Sequence, residues 1–108
     1  LGAGLIIHVG AVVWTKVRIC DDCILSPNVV VAHHTEVGAG SLISTLASIG
    51  SSIIVEDESF IGMGATIMTG IKRIGRGATV GAGSVVIRDV SPGIVVAGVP
   101  AKTLPKER

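Results

Sequence analysis

The chain has 108 residues and a mass of 10.9 kDa, which bounds it to one domain. Apolar residues make up 48% and charged residues 16%, a balance that excludes intrinsic disorder. The formal net charge of +1 leaves no electrostatic footprint for nucleic acid or an anionic membrane. Val and Ile fill 30 positions and Gly another 15, whereas aromatics are only 2%. β-Branched side chains and abundant Gly disfavour a helical bundle, and the missing aromatic bulk argues against a conventional sandwich. A thin, repetitive β structure fits better. No apolar run approaches the ~18 residues of a spanning helix, and no leader pattern is visible. Two cysteines make no disulfide framework, so the cytoplasm is the expected compartment.

A period of six organises the chain. Leu1, Ile7, Val13, Ile19, Leu25, Val31, Val37, Ile43, Ile49, Val55, Ile61 and Ile67 are all aliphatic. At this apolar content such a run would arise by chance about once in several thousand trials. One residue is inserted around Lys72 and Arg73, and the phase resumes at Ile74, Val80 and Val86. The residue after the aliphatic is often Gly, and four places after it stands a compact residue such as Cys23, Thr35, Ala47 or Ser84. Each hexapeptide therefore reads as a short strand and a corner. Three of them close a triangular coil of about 18 residues, and coils stack at the ~4.8 Å spacing of hydrogen-bonded strands. The predicted fold is all-β, a left-handed parallel β-helix of hexapeptide repeats.

In chain order the predicted coils are residues 1–18, 19–36, 37–54, 55–73 and 74–91. The helix thus covers residues 1–91, and residues 92–108 form a partial last turn and tail within the same domain. The first coil carries His8 and an outward Trp14. The second begins with Cys20-Asp-Asp-Cys23, which spells a zinc or redox CxxC. Phase argues for a filler instead: Cys23 takes the inward small slot while Cys20 points away, and no second ligand pair completes a tetrahedral site. The same coil carries His33 and His34 at an outward corner. Reading corners modulo 18 stacks Thr15, His33, Ser51, Thr69 and Arg88 in one column, and Val9, Pro27, Thr45, Met63 and Ala82 in a second. The inserted residue must bulge at a corner, because the inward slots on both sides keep their phase.

Residues 16–37, KVRICDDCILSPNVVVAHHTEV, residues 74–86, IGRGATVGAGSVV, and residues 97–102, AGVPAK, carry a resemblance to a known family. Over essentially the whole chain the pattern resembles the hexapeptide-repeat acyltransferases. Within them it is most similar to the O- and N-acetyltransferases that modify sialic acid or UDP-linked amino sugars. That resemblance implies an acetyl-CoA-dependent transfer to a hydroxyl or amine of a small, sugar-like acceptor, with sites between the subunits of a homotrimer. It assigns His33 as general base and the backbone N–H of Ser51, where the family has Gly, as oxyanion donor. It places acetyl-CoA along Met63, Thr69, Gly81 and Ala82, with Lys102, helped by Arg76 and Arg88, at the phosphate end. No metal is implied: the γ-class carbonic anhydrases share the fold, but His8, His33 and His34 lack their three-His spacing. The chain departs from the family at Ala32 and His34, where acidic residues are common, at Leu42, where a second His is expected, and at Ser26, where an Asn is. The departures at Ala32, His34 and Leu42 favour an alternative, a catalytically impaired β-helix that serves as a non-catalytic ligand-binding or assembly module. On phase alone His34 is solvated or faces the substrate.

Overall fold

A computed structural model describes residues 1–105, and residues 106–108 of the predicted tail lie outside the described residues. The described residues form sixteen strands. Fourteen of them, from Ile6–Ile7 to Val85–Val86, are two residues long, one per hexapeptide. They pair in parallel with the strand one coil away and assemble into three sheets of seven, five and four strands. The result is a left-handed parallel β-helix of ~18-residue coils, measuring 36 × 25 × 22 Å.

The inward slots stack like on like. Leu25, Ile43, Ile61 and Val80 stand in register in the first sheet, Val31, Ile49, Ile67 and Val86 in the second, and Val37, Val55 and Ile74 in the third. Each is essentially without solvent contact. Burying such a side chain is worth about 1.5–3 kcal/mol, and the column is too narrow for rings, which accounts for the scarcity of aromatics. The compact slot four places on is filled as expected: Cys23, Thr35, Ser41, Ala47, Ser59, Ala65, Ala78 and Ser84 are all buried. Its hydroxyls bond to backbone of the next coil, as Thr35 Oγ1 does to Gly50 O at 2.6 Å. The first coil is less covered, with Leu1 82% and Ile7 41% exposed.

The extra residue falls where the phase places it, at Lys72, and a second register change departs from the predicted phase. Ile67 pairs with Ile49 but Arg73 with Ile54, and Ile71 turns into the interior at 7% exposure while Lys72 stays outside. Gly70, at φ 114°, makes the corner that admits it. The last coil then loses two residues: Ile74 bridges Val90 and Val80 pairs with Val96. After it, Val95–Gly98 extends the first sheet, and Ala101–Thr103 folds back antiparallel onto it through a cis Val99–Pro100 turn.

Corners obey one backbone rule. At most corners the second residue is left-handed, and Lys16, Asp22, Asn28, His34, Leu46, Ser52 and Glu58 all adopt φ between 57° and 65°. Its N–H donates to the carbonyl of the first corner residue one coil below, as His34 does to Thr15 and Ser52 to His33. The N–H of the first corner residue has no such partner and faces outward. Outer faces differ: the third sheet presents Arg18, Glu36, Ile54 and Arg73. The first presents Ile6, Ile24, Leu42, Phe60, Thr79 and Val95, and the second Val12, Val30, Ser48, Thr66 and Val85. Two faces are therefore largely apolar.

Candidate functional site

His33 is the first residue of the corner joining the second sheet to the third, and its ring leaves the column outward. Its Nδ1 lies 2.9 Å from Nδ1 of His34, with the two rings nearly perpendicular at 89° and 5.1 Å apart. Positive φ at His34 (63°) brings the second ring back toward the first. His34 is exposed, and its ring also pairs with that of His33. Trp14, one coil below, sets its ring 6.2 Å from that of His33 at a 41° tilt, within the range of aromatic contact.

Above His33 the column continues through Ser51, Thr69 and Arg88. Gly50 permits the tight stacking here, because a Cβ on it would lie 2.5 Å from Thr69 N. Thr69 consequently drops its hydroxyl onto the N–H of Ser51, which donates to Oγ1 at 3.0 Å. The backbone donor assigned to the oxyanion is thus already engaged. Asp21 and Asp57 cap Ala3 N and Ala39 N in the same way at 2.9 and 3.0 Å. Covering a first-corner N–H from the coil above is a recurrent device of this chain.

The residues assigned to acetyl-CoA fall on two edges. Thr69 shares the His33 edge, while Met63, Gly81 and Ala82 lie on the corner between the first and second sheets, across a full strand. On that second edge the N–H groups of Thr45, Met63 and Ala82 bond to no protein atom among the described residues. Gly81 lies close under Ala97, where an added Cβ would meet the Ala97 Cβ at 3.0 Å. Lys102 sits on the final hairpin opposite Ala97 and comes to the top of the His33 edge. With Arg88 it lines a hollow of about 110 Å³ and an adjoining one of about 290 Å³. Arg76 instead lies on the third-to-first corner, tied to Glu58. It is on a different edge from Arg88 and Lys102.

The remaining candidates resolve locally. Cys23 is buried with Sγ 3.0 Å from Gly38 O, Cys20 is half-buried, and both are free thiols. Burial pushes the Cys23 thiol above its ordinary range. Among the described residues no group of three His, Cys, Asp or Glu side chains could hold a metal ion, and no helix could cross a membrane. Glu56 bonds to the Arg73 guanidinium and accepts Arg76 N–H at 2.9 Å. These two bonds, Arg73 first, hold its carboxyl below the usual range and brace the coil beyond the insertion.

No family model matches the chain. A 2,3,4,5-tetrahydropyridine-2,6-dicarboxylate N-acetyltransferase of Staphylococcus aureus is 42% identical over 73 residues, 66% of this chain and 30% of that protein. The acetyltransferase domain of PglB from Neisseria gonorrhoeae superposes with a TM-score of 0.88 at 31% identity, over 95% of this chain and 53% of that one. AntD, an N-acyltransferase from Bacillus cereus solved with dTDP and 3-hydroxybutyryl-CoA, gives a TM-score of 0.90 over 99% of this chain and 71% of that one. At 18% identity the last shows the fold alone. The chain spans 30% of the length of the curated relatives it matches. It carries the hexapeptide-repeat acyltransferase fold and is related to the sugar-nucleotide N- and O-acetyltransferases.

Proposed function

We propose that this chain is the transferase module of an acetyl-CoA-dependent acetyltransferase acting on a hydroxyl or amine of a small, sugar-like acceptor. The observation that carries the reading is the alignment of His33, Ser51, Thr69 and Arg88 along one edge, with Lys102 at its top. In this reading His33 takes the acceptor proton as the acceptor attacks the thioester carbonyl. The oxyanion of the tetrahedral intermediate is met by the Ser51 N–H once Thr69 turns its hydroxyl aside. The intermediate collapses, the thiolate of CoA leaves, and the imidazolium returns the proton to it. Transfer is direct in this reading, and among the described residues no nucleophilic side chain is paired with His33.

A complete site requires a second copy. His33 and Met63–Ala82 stand on different edges of one chain, whereas in a homotrimer one subunit's His33 edge meets its neighbour's second edge. Two largely apolar outer faces support such packing, since a thin column has much surface for its volume. The unbonded N–H groups of Thr45, Met63 and Ala82 on the second edge suit the amide carbonyls of a pantetheine arm, and the cations at the top suit a phosphate. A cytoplasmic setting, where acetyl-CoA is made, accords with the two free cysteines.

Calorimetry with acetyl-CoA tests this reading. Binding is expected, and Lys102→Glu is expected to weaken CoA more than dephospho-CoA while sedimentation still reports a trimer. Equal weakening removes the phosphate contact, and a monomer at micromolar concentration removes the shared site. The covered Ser51 N–H favours a second reading, a module that binds the thioester without turning it over; binding with no CoA release for any acceptor is its signature.

A further inference from the structure

The contact between His33 and His34 has a proton requirement. Two imidazole Nδ1 atoms at 2.9 Å can share one proton: two lone pairs repel, and two N–H groups clash. One ring must donate and the other accept. If His34 donates, neutral His33 carries its own proton on Nε2 and has no basic nitrogen facing the solvent. If His33 donates, its Nε2 lone pair is free.

We propose that His34 is the positioning residue for His33, accepting the His33 Nδ1–H at its own Nδ1 and so leaving His33 Nε2 as the base. The inference rests on His33 being the base in the reading above. Proton balance supports the direction. When Nε2 takes the acceptor proton, His33 becomes an imidazolium and still holds Nδ1–H, so the bond to His34 becomes charge-assisted without rearrangement. The opposite direction would have to reverse first.

From the coil below, Trp14, Thr15 and Lys16 face the pair, and Lys16 stands beneath His34. From the coil above come Gly50, Ser51 and Ser52. On the pair's own coil Glu36 follows two residues later, in register with Arg18 and Ile54 on the third sheet. Lys16 is the one charged group on the adjoining corners.

The left-handed backbone at His34 guides the choice of variants, because both Gly and Asn accept this conformation. His34→Gly keeps the corner and removes the acceptor; His34→Asn keeps the corner and offers a carbonyl oxygen. Ring ¹⁵N shifts of the trimer read the tautomer without any acceptor substrate. His33 is expected to carry its proton on Nδ1 in the wild type, and to shift toward the Nε2–H form in His34→Gly. Wild-type His33 protonated on Nε2 overturns the proposal. With an acceptor in hand, His34→Gly is expected to lose about tenfold to a hundredfold in kcat with KM for acetyl-CoA unchanged, less than the ~10²–10⁴-fold of a base itself. His34→Asn should recover part of that loss. An unaltered rate in His34→Gly also overturns it. If His33→Ala retains activity the general-base reading fails, and the ring shifts still decide whether His34 sets the tautomer.

Discussion

The N–H of Ser51 donates to the hydroxyl of Thr69 one coil above, across 3.0 Å, directly over the corner that carries His33. Gly50 makes the approach possible and Thr69 exploits it. The same residue thus ties two coils together and covers the donor that an oxyanion would use. Thr69→Ala is expected to cost about 1 kcal/mol, the net worth of one such bond, and Thr69→Ser to restore it. Urea denaturation of the three proteins checks this. Equal midpoints would mean that the bond contributes nothing to the stacking.

The two cysteines should differ sharply toward a thiol reagent. Cys23 fills an interior slot, its Sγ lies against Gly38 O, and burial raises its thiol, which disfavours the reactive thiolate. Cys20 reaches the surface beside it. One equivalent of label is expected in the native protein, at Cys20, and two after unfolding. Fast modification of both thiols in the native state contradicts the packing.

Glu56 links charge to stability at the insertion. Its carboxyl lies below the usual range in the folded chain because Arg73 and the Arg76 N–H bond to its ionised form. A carboxylate lowered on folding stabilises the fold above its unfolded value, about pH 4.3, and that contribution disappears as pH falls through the folded value. The stability difference between wild type and Glu56→Gln should be constant near neutrality and shrink as pH falls below about 4. A difference that grows on acidification would reverse the sign and contradict the assignment.

Most of the scaffold was legible in the sequence because a β-helix writes its interior at a fixed period. The stacks at Ile43, Ile61 and Val80, and the small slots at Cys23 and Ser84, follow from phase alone. The insertion at Lys72 follows from that phase, whereas the second register change does not. Both Ile71 and Lys72 could occupy the inward slot by position, and burial of an aliphatic rather than an ammonium decides for Ile71. The loss of two residues before Val90 is absorbed by a β-bridge to Ile74 that no periodicity announces. At the site, phase stacked Ser51 over His33 correctly. It could not show that Thr69 reaches the Ser51 N–H, or that His34 turns back on His33. Those contacts depend on corner dihedrals and on neighbours 18 residues away. Lys102 likewise reaches Arg88 only because the last strand reverses onto Val95–Gly98.

The central claim is that His33 removes a proton during acetyl transfer. Its most direct test is release of CoA from acetyl-CoA across a panel of amino- and hydroxy-sugars, with wild type and His33→Ala in parallel. At least one acceptor is expected to drive CoA release by the wild type. His33→Ala is expected to lose at least about a hundredfold in turnover while calorimetry shows acetyl-CoA still bound. Equal turnover by the two proteins would contradict the claim, as would a wild type that binds acetyl-CoA and releases no CoA with any acceptor.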